Sequence, residues 1–387
     1  MAKKVTNVPN LRFPEFTEEW ETKKLGEIGE IVTGSTPPTN DESYYGGEHL
    51  FVSPADIQTN RYVNNSKTTL TLKGFRKGRK IKKGSSLFVC IGSTIGKVAQ
   101  ASEDCVTNQQ INSIVSLEHN ADFVFSLLEF SSKKIKLLSA EQAVPIINKT
   151  TFSNVQINIP SLSEQAKIAS FLSIIDKRIQ TQNKIIKELK TLKGATAKKI
   201  FSQEFRFNDD NGNEFPKWEE VFLENVCDIK KGEQFNKEDL SEIGSHPCLN
   251  GGILPSGFSE KYNTDENTIT ISEGGNSCGF VNFMKRKFWL GGHCYKILLL
   301  KKISLIYFYQ LLKFNEQNIM NLRVGSGLPN IQLKSLKKFT VKISSSENEQ
   351  TKIANFLSAI DSKIDVENQL LQKLEVQKKY LLQQMFI

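Results

Sequence analysis

Residues 164–179 read EQAKIASFLSIIDKRI, and residues 349–364 read EQTKIANFLSAIDSKI. The second lies 185 positions beyond the first (349 − 164 = 185) with no gap, and the match continues weakly to Phe201 and Phe386. A repeat found this early organises the reading of the whole chain. In the first copy Ile168, Leu172, Ile175, Ile179, Ile186, Leu189 and Ile200 fall on alternating steps of four and three. Ile353, Leu357, Ile360, Ile364, Leu371, Leu374, Leu381 and Met385 form the same seam in the second. Apolar residues kept at heptad spacing predict two long helices paired as a coiled coil. Ser163-Glu-Gln and Asn348-Glu-Gln stand where a helix start wants a cap and an early acid. Gln182 and Lys193 interrupt one seam, Glu367 and Lys378 the other. Such side chains either snorkel outwards or set register, pairing Lys193 with Glu367 and Gln182 with Lys378 in an antiparallel coil.

A second repeat lies outside the helices. Trp20, Leu25, Ile28, Ile31 and Gly34 match Trp218, Leu223, Val226, Ile229 and Gly232. Leu11-Arg-Phe echoes Phe205-Arg-Phe, and each is followed by a Phe-Pro. Each half closes on a proline-led segment ending in an alternating strand, at 145–159 and 329–343. The chain therefore runs globule, helix, globule, helix. The interiors, such as SSLFVCIG (85–92), NTITISEG (267–274) and KFWLGGHCYKILLL (287–300), are β-branched, aromatic and bounded by glycine. They predict strands, with short helices at 121–138 and 303–320. The fold class is α+β: two mixed α/β globules, each with a twisted, partly barrel-like sheet, at residues 1–160 and 205–344, and long helices at 161–204 and 345–387. A duplicated frame with divergent middles suggests one task performed on two targets.

Composition narrows the task. Hydrophobic residues make up 39% and charged residues 24% of 387, an ordinary globular balance. No apolar run approaches the roughly 20 residues a membrane span needs, and no apolar stretch follows the basic start MAKKVTNVPN to make a signal peptide. The six cysteines contain no Cys-x-x-Cys pair, which reads as reduced thiols in cytoplasm. His246, Cys248, Cys278, His293 and Cys294 have irregular spacing, without a zinc-knuckle pattern. A formal charge of +9 favours a polyanionic partner without proving one.

No catalytic constellation emerges. Gly92-Ser-Thr-Ile-Gly96-Lys97-Val98 is one residue short of a phosphate loop, and Val98 stands where magnesium needs Ser or Thr. Basic and amide-bearing segments point instead to nucleic acid. Lys73–Lys83 holds seven cations, among them Arg76, Lys77, Arg79 and Lys80, around two glycines. Lys285 and Arg286 are the comparable cations of the second globule. Such groups release counterions from phosphates, though a solvated surface loop looks the same. Base reading needs amides, arginine and small hydroxyls. Asn108, Gln109 and Gln110 form such a run, and the comparable place in the second globule is 291–295, with His293. Ser93 and Thr94 match Asn276 and Ser277 in small polar loops, and Arg323 and Ser326 precede the second shared proline. For each loop, DNA contact and plain tight turn remain open.

With VPNLRFPEF (8–16), TGSTPP (33–38), the TNQQ run, FPKW (215–218) and the duplicated EQAKIASFL and EQTKIANFL in view, the chain resembles, over essentially its full length, the specificity subunit of type I restriction–modification systems. The resemblance implies two target-recognition domains, each reading half of a bipartite double-stranded DNA site. It implies antiparallel helices that set the spacing and dock two methyltransferase subunits, with two ATP-driven restriction subunits completing the complex. S-adenosylmethionine, ATP and magnesium would belong to those partners, and this chain would bind none of them, catalyse nothing and touch no membrane. One departure is Lys230-Lys-Gly-Glu-Gln, where the first globule has Thr33-Gly-Ser-Thr-Pro. Two rival readings are the recognition half of a single-chain restriction–methylation enzyme, whose methyltransferase motifs are absent, and a coiled-coil adaptor whose globules bind protein.

Overall fold

A computed structural model describes residues 7–387 except 59, 117, 140–144, 237, 239 and 326. The chain forms two compact units, Met1–Lys184 with Asn368–Ile387, and Ile185–Glu367. Each holds one globule and one half of each of two long helices, Leu162–Phe201 and Glu347–Met385. At about 1.5 Å per residue the 40-residue first helix is ~60 Å long. The caps lie two residues earlier than the sequence suggests. Ser161 and Ser346 accept from the amides of Gln165 and Gln350 through their carbonyls, and their hydroxyls face the amides of Glu164 and Glu349.

In the first unit the chain enters on strand Glu21–Lys24 and leaves on Gln156–Ile159, paired antiparallel in register Thr22↔Asn158. Between them lies a five-stranded sheet in the order Glu30–Thr33, Ile111–Val115, Ser86–Val89, Val98–Ala101, Tyr62–Val63, and a separate four-stranded sheet. The strands thus divide between sheets and do not form one barrel-like sheet. Helix Ala121–Leu137 is capped by the Asn120 side chain, which accepts from Asp122 and Phe123. Its buried face joins Trp20, Leu25, Phe88 and Phe152 in the main core. Ile168 and Leu172 of the first long helix enter that core, as do Leu382, Met385 and Phe386 from the end of the second. Asp176 meets Lys378, so the helices run antiparallel here.

The second unit repeats the plan. Glu219–Phe222 pairs with Thr340–Ile343, and a four-stranded sheet runs in the order Cys227–Lys231, Cys294–Leu299, Thr268–Ser272, Val281–Met284. Phe201 of the first long helix packs edge-on to Trp218, as Phe386, just past the end of the second, does to Trp20 in the first unit. Ile353 and Leu357 close this core, and Lys193 meets Asp361, again antiparallel. The helix expected at 303–320 breaks at Asn315 into Leu305–Phe314 and Glu316–Met320. The break lets Glu316 accept the Val281 amide at 2.8 Å.

Of the seam residues, Ile168, Leu172, Ile175, Ile186, Ile353, Leu357, Ile364 and Leu374 are buried, while Ile179, Leu189, Ile360 and Leu371 are half-buried. The two seam lysines form ion pairs with residues beside the seam. Lys193 is held by Asp361 at 2.7 Å, and Lys378 by Asp176 at 2.8 Å and by Glu129. Each aspartate directly follows a seam isoleucine, so a seam lysine reaches it by leaning out of the stripe.

Candidate nucleic-acid interface

The motif residues divide into those that build the frame and those the frame displays. Glu164, 1% exposed, accepts Arg12 Nε at 2.8 Å and Trp20 Nε1 at 3.3 Å. Glu349, also 1% exposed, accepts Arg206 Nη2 at 3.0 Å and Trp218 Nε1 at 2.9 Å. The hydrogen bond from the guanidinium to Glu164 raises the Arg12 pKa above its ordinary value. The adjacent glutamines fix the globules: Gln165 accepts the Asn120 amide and Gln350 the Ser304 amide, each at a helix cap. The strongest sequence motif is therefore structural, because a buried carboxylate must be paired.

What the frame displays lies at the sheet end where Thr33 leads into Gly34. Gly34 donates to the Ile111 carbonyl at 3.0 Å and Ser35 to Thr107 at 2.8 Å. A Cβ on Gly34 would stand 2.1 Å from the Asn108 carbonyl oxygen, so this close crossing needs glycine. The Arg79 amide donates to Ser35 Oγ at 2.8 Å and its guanidinium to the Thr33 carbonyl at 2.9 Å. Cys90 donates to Gln110 at 2.8 Å, which brings the 92–96 turn alongside. Arg79, Lys80, Ser93, Thr94, Asn108, Gln109 and Gln110 are thus assembled at one end. Arg76, Lys77, Arg79, Lys80, Ser93 and Gln109 are exposed, and Thr94, Asn108 and Gln110 half-buried.

The basic stretch is more ordered than a loop. Leu72–Lys77 is a short helix capped by Thr71, followed by strand Lys80–Ile81. Its glycines serve packing, since a Cβ on Gly74 would meet the Tyr44 carbonyl oxygen at 2.2 Å. The 92–96 segment joins antiparallel strands Ser86–Val89 and Val98–Ala101, and so lacks the strand-to-helix setting of a phosphate loop.

The second domain builds the same end with different residues. Gly232 donates to Cys294, Glu233 to Leu290, Glu273 to His293 and Gly275 to Pro329. These bonds repeat Gly34 to Ile111, Ser35 to Thr107, Cys90 to Gln110 and Gly92 to Pro145. Asn276 and Ser277 therefore stand where Ser93 and Thr94 do, and His293 where Gln110 does. Arg323 is exposed on a turn that pairs Val324 with Asn330 beside the Gly274–Gly275 loop. Ser326 lies outside the described residues. Lys285 and Arg286 are not brought to this end. They follow Met284, which pairs with Thr268, whereas the Asn276 turn lies beyond the Ile271–Val281 end of the same hairpin. Lys285 instead faces Asp365 at 3.5 Å.

Among the described residues no group of three or more His, Cys, Asp or Glu is placed to hold a metal ion. Cys294 Sγ accepts the Gly251 amide at 3.1 Å, and burial pushes its pKa up to about 11. Among the described residues no helix is long and apolar enough to cross a membrane.

The family model described as type I restriction modification DNA specificity domain matches residues 17–191 and again 216–376, once per half. The chain belongs to this family. It is 25% identical over 417 residues to the type I restriction enzyme MjaVIII specificity subunit of Methanocaldococcus jannaschii, covering 96% of this chain and 92% of that one. It is 34% identical over 150 residues to a putative type I specificity subunit of Mycoplasma genitalium. That shorter match covers 38% of this chain and 39% of the relative, and a match to the MjaIX specificity subunit of M. jannaschii covers 56% of that relative. Among solved structures, the S subunit of a type I restriction–modification system from M. genitalium shares the fold, with a TM-score of 0.64, 21% identity, and 98% and 99% of the two chains covered. The family's two-fold match coincides with the duplicated loop ends and helix starts of this chain.

Proposed function

We propose that this chain is the sequence-reading subunit of a type I restriction–modification complex, each domain reading one half of a bipartite site in double-stranded DNA. The observation that carries the reading is the duplicated loop end. Two equivalent frames present different polar side chains, Asn108, Gln109 and Gln110 on one and a glycine-rich run with His293 on the other. A shared frame with changed contents is what two unrelated half-sites require. Arg76, Lys77, Arg79 and Lys80 supply sequence-independent phosphate affinity in the first domain. The long helices set half-site spacing and dock two methyltransferase subunits, to which two ATP-dependent restriction subunits attach. S-adenosylmethionine, ATP and magnesium act on those partners, in the cytoplasm, and this chain takes no chemical step.

The test is sequencing of methylated adenines in cells that carry this chain with its methyltransferase and restriction partners. An interrupted, two-part motif is expected. In vitro, the complex with methyltransferase subunits should lose DNA affinity by about 10³-fold or more between 50 and 200 mM salt, as several phosphate contacts imply. A protein-binding adaptor would show neither the motif nor any DNA affinity.

A further inference from the structure

The two loop ends can be superposed bond by bond. The Asn108 amide donates to the Val52 carbonyl at 2.9 Å, and the Gly291 amide to the Leu249 carbonyl at 2.7 Å. With the pairs Ser35–Thr107 and Glu233–Leu290, this places Gly291 where Asn108 stands and Gly292 where Gln109 stands. Asn250 follows Leu249 as Ser53 follows Val52, and Gln234 follows Glu233 as Thr36 follows Ser35. Two carboxamides on the first domain's loop have thus become glycines on the second. At the neighbouring positions, two hydroxyl residues have become carboxamides.

The exchange preserves where the amide groups sit. In the first domain the Gln110 backbone amide donates to Asn108 Oδ1 at 3.1 Å. In the second, the equivalent His293 amide donates to Asn250 Oδ1 at 3.4 Å. A side chain from another strand end has taken over the same hydrogen bond. The first domain brings Thr36 Oγ1 to Gln109 Oε1 at 2.6 Å, and the second packs Gln234 Oε1 against Gly292. Gly291 is what admits Asn250, because a Cβ there would lie 2.6 Å from Asn250 Oδ1, and a Cβ on Gly292 would come to 3.0 Å from the movable Gln234 Oε1. Gln234, like Gln109, is exposed; Asn250, like Asn108, is half-buried.

We propose that Gln234 and Asn250 are specificity-determining carboxamides of the second domain, standing where Gln109 and Asn108 stand in the first. The inference rests on the DNA-reading function and extends it to residues outside the 291–295 run. Asn and Gln can pair with a base edge through donor and acceptor together, and an amide oxygen pinned to a backbone N–H fixes the direction of that pair.

The experiment uses the full chain with its methyltransferase subunits, comparing wild type with Gln234→Ala, Asn250→Ser and Gln109→Ala. Methylated sites are sequenced, and binding is measured to duplexes carrying single substitutions. Asn250→Ser installs the first domain's residue and keeps an acceptor beside His293, which guards the fold; thermal midpoints and co-purification with the partners check it. Gln234→Ala and Asn250→Ser are expected each to lower discrimination at one or two base pairs of the second half-site, on the order of tenfold. The first half should stay intact, and Gln109→Ala should do the reverse. Folded variants that read an unchanged second half, or that bind every duplex equally more weakly, would overturn the proposal. A wild-type complex that reads no bipartite site would instead overturn the DNA-reading function itself, so the two failures are distinguishable.

Discussion

Lys378 is 12% exposed and lies between Asp176, 9% exposed, and Glu129, while Arg61 reaches the same Asp176 at 2.8 Å. Removing Asp176 takes one charge-assisted hydrogen bond from each cation, at about 1.5–3 kcal/mol apiece, while Glu129 still faces Lys378 and Asp122 still faces Arg61. Asp176→Ala should therefore destabilise the first unit by roughly 3 kcal/mol or more in a urea melt. The repeat-related Asp361, at 35% exposed, is screened by solvent, and Asp361→Ala should cost about 1 kcal/mol. Equal losses would show that burial does not set the value of these pairs. The sequence displayed both lysines as breaks in the seam but did not point to the aspartates that hold them. Periodicity locates a residue on a stripe, whereas the partner depends on how far a long side chain leans, and the aspartates sit just off the stripe. Asn250 and Gln234 were illegible for a related reason. They reach the loop end from other strand ends, and only the diglycine at Gly291–Gly292 marks in sequence that something must fit against it.

At the scale of elements, the long helices were the most legible feature because a heptad seam is a local signal repeated many times. Their duplication also explains the globules' outer shell. Arg12, Trp20 and Glu164 converge in one copy, and Arg206, Trp218 and Glu349 in the other. The sheets were less legible, since pairing joins segments far apart in the chain. One weakness remains inside the first helix. Gly194 sits in its interior with open space where a Cβ would go. Gly194→Ala should raise stability by about 0.5–1 kcal/mol, read as a higher thermal midpoint, because alanine loses less backbone freedom. A lower midpoint would mean that the position needs glycine for contact with a partner. The helices also carry the proposed spacing function. Deleting one heptad from each should move the preferred spacing between half-sites or abolish binding, and an unchanged spacing in mapped methylation sites would reject that role.

At the scale of the whole molecule, the chain is one plan written twice, with the frame held and the contents changed. Arg12, Arg206, Glu164 and Glu349 hold the frame, while the run 107–110 and its counterpart 290–293 differ at every position. That division accounts for what a single sequence could disclose: the frame shows as internal similarity, and the contents carry no code from residue to base. It also makes the central claim of two independent reading modules directly measurable. Residues 15–150 are exchanged for the corresponding segment of another member of the family, and methylated adenines are sequenced in cells carrying the hybrid and its partners. One half of the recognised motif should change while the other half stays as it was. A hybrid in which both halves change together would contradict the account.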